Sequence, residues 1–149
     1  MKPVDSNNDI HIRVRFADTD QMGIAHNGVY FTWFEIGRTE LLRQTGLTYH
    51  DVEKLGIHLP LIEEGAKFLK PALYDDVLSM RTSIEWQKGI RIRFKYEIWR
   101  HDEKLAVGFT EHVFTNDKLH PTKPPKELAD VSHFITMKNK TTSEKGIIL

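Results

Sequence analysis

Two carboxylates, Asp18 and Asp20, stand one residue apart, just after a short alternating segment and shortly before a long apolar helix that opens at Asn27-Gly28. Between them and the helix the chain runs Gln21-Met22-Gly23-Ile24-Ala25-His26, with a glycine turn in the middle. This order can aim an acid, a base or a nucleophile at the positive end of a helix. The first N–H groups of a helix have no intrahelical partner and carry about half a positive elementary charge. An atom that is negative, or becomes so during a reaction, is the natural occupant of the space before them. Chain direction alternates between positions 18 and 20, so only one of the two carboxylates is expected to face the helix start, and Asp20 is the first candidate. Each also has a purely structural use in an Asx turn or a helix cap. Asn27 and Gly28 can supply main-chain N–H donors to a developing oxyanion. Capping by the Asn27 side chain is compatible with that role. His26 reads either as a general base or as polar lining.

The remaining titratable groups are less pointed. Glu35, beside Trp33 and Phe34, reads as a solvated helix residue or, if buried, as a carboxylate of raised pKa. Glu63 and Glu64 interrupt an apolar strand, so one of them is expected to face inward or onto an interface. Arg91, Arg93 and Lys95 form a basic stripe on one strand face, with Lys88 at the preceding turn; this is a solvated sheet face or a contact for a phosphate-rich ligand. The eight histidines show no metal-ligand spacing, and no nucleophile elbow or P-loop occurs. The chain has no cysteine, which excludes thiolate catalysis, disulfides and cysteine-ligated metals. No metal and no cofactor are expected.

The elements that must hold these residues follow from hydrophobic period. Ile10, Ile12, Val14 and Phe16 alternate with polar residues as in a half-buried strand. A helix is predicted from Asn27 to Thr45, about 28 Å long, with Val29, Trp33, Ile36, Gly37 and Leu41 at helical spacing and Gly46 as its stop. A short helix follows over Tyr49 to Leu55. The period then changes to two, and residues 57–69, 76–87, 90–101 and 104–116 read as strands joined by short turns, hence antiparallel. One long helix and such a sheet make an α+β domain in which the sheet buries its apolar face on the helix. Gly37 permits close approach. Lys126 to Val131 reads as a turn of helix. The domain is placed at 1–131 and a mobile polar tail at 132–149.

Lys and Arg together number 21, as do Asp and Glu, so the zero net charge gives no support for a nucleic-acid partner. The N-terminus shows no apolar signal-peptide core, and no apolar run approaches the roughly 20 residues that span a bilayer. A cytoplasmic protein without membrane contact is the expectation.

Phe16-Ala17-Asp18-Thr19-Asp20-Gln21-Met22-Gly23, Asn27 to Glu35, Arg38-Thr39-Glu40-Leu41-Leu42 and Lys70-Pro71-Ala72-Leu73-Tyr74-Asp75-Asp76-Val77-Leu78 together resemble the hot-dog-fold acyl-CoA thioesterases of the 4-hydroxybenzoyl-CoA thioesterase type. The resemblance spans about residues 8–131. It implies a long helix wrapped by about five antiparallel strands, and hydrolysis of an acyl-CoA thioester without metal or prosthetic group. It implies Asp20 as nucleophile or general base, and main-chain N–H groups near Asn27 and Gly28 as the polarising donors. His26, Lys88, Arg91 and Arg93 become candidate substrate contacts. A homodimer or homotetramer with interfacial sites is implied as well. Some members carry His or Tyr where this chain has Asn27. An acyl carrier protein thioesterase and a non-catalytic acyl-CoA-binding module are the alternatives.

Overall fold

The computed structural model describes residues 8–129. The proposed tail at 132–149 lies outside them. Strand β1 (Asn8–Arg13) leads through a 3-10 turn (Phe16–Asp18) into helix α1 (Asn27–Gln44) and helix α2 (Tyr49–Lys54). Strands β2 (Leu61–Phe68), β3 (Val77–Lys88), β4 (Arg91–Arg100) and β5 (Glu103–Val113) follow. They form one antiparallel sheet in the order β1-β3-β4-β5-β2, so β1 and β2 are its edges. Residues 126–129 are helical. The expected α+β hot-dog architecture is therefore present, with a five-stranded sheet around α1.

Helix α1 buries Val29, Tyr30, Trp33, Phe34, Gly37 and Leu41. These positions repeat at helical spacing along one face. Ile36, expected on that face, is 42% exposed instead, and Phe34 takes the central place with no exposure. The opposing sheet face carries Leu78, Met80 and Thr82 from β3 and Ile92, Phe94, Tyr96 and Ile98 from β4. From β5 it is the small and polar set Ala106, Gly108, Thr110 and His112 that lies across from those β4 residues. The cause is steric. A Cβ at Gly108 would strike the Phe34 ring and sit 2.9 Å from the Gly65 carbonyl oxygen. A Cβ at Gly37 would strike Thr82 Oγ1 and come within 2.7 Å of Met80 Cε. Phe34 stacks on Tyr96 with centroids 4.3 Å apart. Helix and sheet thus meet at nearly main-chain distance.

Two other expectations are corrected. Phe16 is not on a buried strand face. The chain leaves the sheet at Val14, whose N–H donates to Asp76 O (2.9 Å), and turns, leaving Phe16 78% exposed. Neither Glu63 nor Glu64 faces inward, which corrects that half of their reading; both are exposed on edge strand β2, beside a register shift between Leu61 and Glu63. Glu35 is solvated.

One polar chain crosses the core. Tyr96 Oη and Thr110 Oγ1 are 2.6 Å apart, Thr110 Oγ1 and His112 Nε2 3.0 Å, and His112 Nδ1 and Leu59 O 3.0 Å. The Leu59 carbonyl only accepts, so Nδ1 carries the proton. Nε2 then accepts from Thr110, and Thr110 accepts from Tyr96. Burial lowers the His112 pKa to about 4; the Leu59 hydrogen bond opposes this and nearby Arg38 adds to it. Burial likewise pushes Tyr96 up to about 12.

Gly108→Ala is expected to cost about 1–3 kcal/mol through overpacking against Phe34, read as a lower thermal midpoint. An unchanged midpoint would contradict the close seat of the helix. The neutral His112 makes a second expectation. Its folded pKa lies below the ordinary 6.5, so the unfolded chain binds the proton first as pH drops. Stability is whole above about pH 6.5 and is lost progressively toward pH 4, by up to roughly 3 kcal/mol. Urea midpoints from pH 7.5 to 4.5 should fall more steeply for the wild type than for His112→Gln; parallel slopes would refute the assignment.

Candidate active site

The loop between β1 and α1 is built around its two aspartates, which do different work. Asp18 is 2% exposed. Its Oδ2 accepts the Arg15 main-chain N–H (2.8 Å), and its Oδ1 accepts Arg15 Nη2 (2.9 Å). The hydrogen bonds from the Arg15 side chain hold its carboxyl below the usual range, with the Arg15 main chain and charge adding to the effect. Its carbonyl accepts the His26 N–H (3.0 Å), so one residue closes the 3-10 turn and holds the residue that begins the helix. Asp18 is thus a structural anchor, held at the end of the 3-10 turn by Arg15.

Asp20 forms the turn ahead of the helix. Its Oδ1 accepts Met22 N–H (2.8 Å) and, at longer range, Ile24 N–H (3.4 Å), an Asx turn. Its own N–H donates to Ile24 O (2.9 Å), and Gly23 N–H donates to Asp20 O (3.0 Å). Gly23 takes φ +77°, the left-handed conformation that closes this turn. Among the described residues nothing bonds Asp20 Oδ2.

Beyond the turn, Ala25 N–H donates to Ala72 O (2.8 Å), and Ile24 bridges Leu73. This ties the helix start to the segment joining β2 and β3. His26, not Asn27, occupies the N-cap position, and its side chain makes no cap hydrogen bond. Asn27 and Gly28 are the first two helical residues, so their N–H groups point out of the helix start. The His26 ring lies over Gly28: a Cβ there would be 3.3 Å from its Nδ1.

Asp20, His26 and Asn27 line one cleft of about 530 Å³. Gly28 stands immediately behind them on α1. Met22, Ile24, Tyr30, Phe68 and Leu69 give the cleft an apolar wall, and Lys70 and Pro71 form its rim. Tyr30 packs edge-on against Trp33 (4.9 Å) and Phe68 (4.8 Å). Burial raises its pKa, offset in part by a hydrogen bond with the Ala72 main chain and by Arg100. Tyr30 stands one turn after His26 on the same helix face, a spacing that could have marked it in sequence. Phe68, Lys70 and Pro71 arrive from the end of β2; Lys70 and Pro71 open one of the runs that carry the resemblance, but nothing local marked any of the three as cleft residues.

Lys88, Arg91 and Arg93 are not brought to this cleft. They surround the β3–β4 hairpin, roughly 35 Å along β3 from its Val77 end. Arg93 pairs with Glu85 (2.9 Å), approaches Glu111 (3.7 Å) and lies 3.7 Å over the Phe109 ring. Arg91 lies 3.6 Å from Glu111. Within one subunit these charges serve the outer sheet face. Among the described residues no group of three or more His, Cys, Asp or Glu could hold a metal, and no helix is long and apolar enough to cross a membrane.

A proton acceptor, an apolar wall and a positively polarised helix end therefore share one cleft. A family model described as the thioesterase superfamily matches residues 22–107. The Bacillus subtilis (strain 168) protein named "Putative acyl-CoA thioesterase YneP" is 35% identical over 107 residues, 72% of this chain and 78% of its own. A crystal structure of a hypothetical protein from Aquifex aeolicus superposes with a TM-score of 0.80 at 30% identity, covering 83% of this chain and 98% of that one. The DHNA-CoA thioesterase from Staphylococcus aureus superposes with a TM-score of 0.81 at 28% identity over 96% and 97% of the two chains.

Proposed function

The chain belongs to the thioesterase superfamily and is a thioester hydrolase, and from that premise we propose that acyl-CoA thioesters are its substrates and that Asp20 carries the reaction. The observation behind this reading is the placement of Asp20, with one free carboxylate oxygen, in the same cleft as the uncapped start of α1. The motifs resemble the 4-hydroxybenzoyl-CoA type; the similar proteins are named for acyl-CoA and DHNA-CoA, so the assignment is made to acyl-CoA as a class.

In this reading the thioester carbonyl oxygen meets the main-chain N–H groups of Asn27 and Gly28. Negative charge develops there as the carbon is attacked, and donors already fixed in place stabilise it without reorganising. Asp20 Oδ2 either takes the proton of an attacking water or attacks the carbon itself. The C–S bond then breaks, and the thiolate leaves and is protonated. Where water attacked, a carboxylate remains at once; where Asp20 attacked, the acyl group is left as a mixed anhydride on Asp20, and a water molecule then hydrolyses it to the carboxylate and restores Asp20. Met22, Ile24, Tyr30, Phe68 and Leu69 receive the acyl group. His26 serves as polar lining beside the helix start.

The same reading includes a second copy of the chain at edge strand β2. An open edge offers unpaired main-chain groups, and pairing there removes them from water. Leu61, Ile62, Phe68 and Leu69 are 44–53% exposed along this edge, and Phe68 and Leu69 also line the cleft. A partner on β2 therefore encloses the acyl end of the site, in a homodimer or a homotetramer built from it. Lys88, Arg91 and Arg93 reach a substrate's phosphates only if a neighbouring subunit carries them there. Such a site remains within a cytoplasmic, metal-free hydrolase.

Asp20→Asn keeps the Asx turn, because the amide oxygen still accepts from Met22, but it cannot take a proton. It is expected to lower kcat about 100- to 10,000-fold, with KM little changed, in a thiol-release assay over acyl-CoAs of varied chain length and aromaticity. Wild-type turnover in this variant would reject the assignment, and absence of thiol release by the wild type on every acyl-CoA would reject the substrate class. For assembly, light scattering at micromolar protein should give at least twice the mass of one chain. A fully active monomer would remove β2 from the site.

A further inference from the structure

The segment joining β2 to β3, residues 69–76, lines the cleft on one side and holds the helix start on the other. Its ends are tied to the sheet by main-chain bonds. Leu69 and Lys70 N–H both donate to Leu105 O (2.8 and 3.1 Å), Asp75 N–H donates to Val14 O, and Val14 N–H returns to Asp76 O (both 2.9 Å). Its middle has fewer such ties, since Pro71 has no N–H to donate. There the load falls on a side chain from β4. Arg100 Nη1 donates to the Asp76 carboxylate (2.7 Å) and to Pro71 O (3.2 Å), joining the two ends of the segment. Its Nη2 donates to Glu103 (2.6 Å), whose other oxygen accepts Lys70 Nζ (2.9 Å). The Asp76 oxygen that meets Arg100 also accepts Leu73 N–H (2.8 Å). Arg100 and Asp76 side chains are only 24% and 21% exposed. Every residue from 70 to 73 is thus bonded to this network or to the helix start, and Ala72 O is the acceptor for Ala25 N–H.

We propose that Arg100 is a positioning residue for the hydrolysis assigned to the Asp20 cleft: its guanidinium clamps residues 70–76, and that segment sets where α1 begins relative to Asp20. Arg100 itself is not among the residues lining the cleft. It acts through Pro71 and Asp76, then through Ala72 O and Ala25 N–H, to the His26 cap. A lysine cannot reproduce this role, since one ammonium cannot hold the planar fork that spans Pro71 O, Asp76 and Glu103. The inference rests on the acyl-CoA hydrolase reading above.

The test uses the full chain and an acyl-CoA that the wild type hydrolyses. Arg100→Ala and Arg100→Lys are expected to lower kcat about 10- to 100-fold, the scale on which a displacement of about 1 Å slows a positioned reaction. KM should change much less than kcat. Methylguanidinium added to Arg100→Ala should restore kcat in a saturable way, while sodium chloride at the same ionic strength should not. A role confined to stability would lower the thermal midpoint without moving kcat of the folded fraction and would show no rescue. Arg81→Gln, which breaks the Arg81–Asp9 pair elsewhere on the sheet, is the control and should leave kcat unchanged. If Arg100→Ala does not fold, Glu103→Gln carries the test: it removes the charge shared by Arg100 and Lys70 and should lower kcat about 3- to 10-fold. Folded Arg100 or Glu103 variants with wild-type kcat, or a loss in Arg100→Ala that methylguanidinium does not reverse, would overturn the proposal. A wild type inert on acyl-CoA would instead overturn the hydrolase reading, so the two failures are separable.

Discussion

The closeness of one helix to one sheet governs the rest of this molecule. Helix α1 lies against β3 and β5 at positions where Gly37 and Gly108 present no side chain, and an added Cβ at either would strike Thr82 or the Phe34 ring. Phe34 fills the resulting space, fully buried and stacked on Tyr96. Because the helix is seated this tightly, its start has little freedom relative to the sheet. That fixed start meets Ala72 through Ala25 and meets Asp18 through His26. The site's electrostatics inherit their geometry from the packing beneath them.

The two aspartates of the loop divide the work by environment. Asp18 is buried, satisfied by Arg15 and spent on structure. Asp20, two residues later, commits one oxygen to main-chain donors and leaves the other unbonded, among the described residues, at the cleft. In a strand, residues two apart share one face; here the 3-10 turn that ends at Asp18 and the Asx turn that begins at Asp20 send the two side chains to different surroundings. A carboxylate held through one oxygen is oriented without being quenched, as a base or nucleophile near a helix end requires.

Much of the architecture was legible in sequence because it depends on period and punctuation. Gly46 marks the end of α1, and the alternation in 90–101 correctly groups Ile92, Phe94, Tyr96 and Ile98. Errors arose where a local pattern continues past a change in chain direction. Phe16 keeps the alternation of β1, but the chain has already left the sheet. On β5 alternation alone does not say which set faces the helix: Leu105, Val107 and Phe109 alternate with Ala106, Gly108 and Thr110, and the helix has the smaller set beneath it. Part of the candidate site could be read because Asp20, His26, Asn27 and Gly28 lie close together in one loop and helix start. Phe68, Lys70 and Pro71 could not, since only strand pairing brings them over. The charges of Lys88, Arg91 and Arg93 were visible but their carboxylate neighbours were not; residue type reveals a cation, and only the fold reveals whether Glu85 or Glu111 already faces it.

The turn that presents Asp20 is held almost wholly by peptide groups: Met22 and Ile24 N–H, Ile24 and Ala72 carbonyls. Any amino acid other than proline offers the same N–H, so the side chains at 21, 22 and 24 contribute little to holding the carboxylate. Met22 and Ile24 nevertheless form part of the cleft wall. On the proposed assignment, the wall that would gauge the guest is uncoupled from the frame that would present the reactive oxygen. Drift or selection at those positions would then retune selectivity in small steps while that frame is inherited intact.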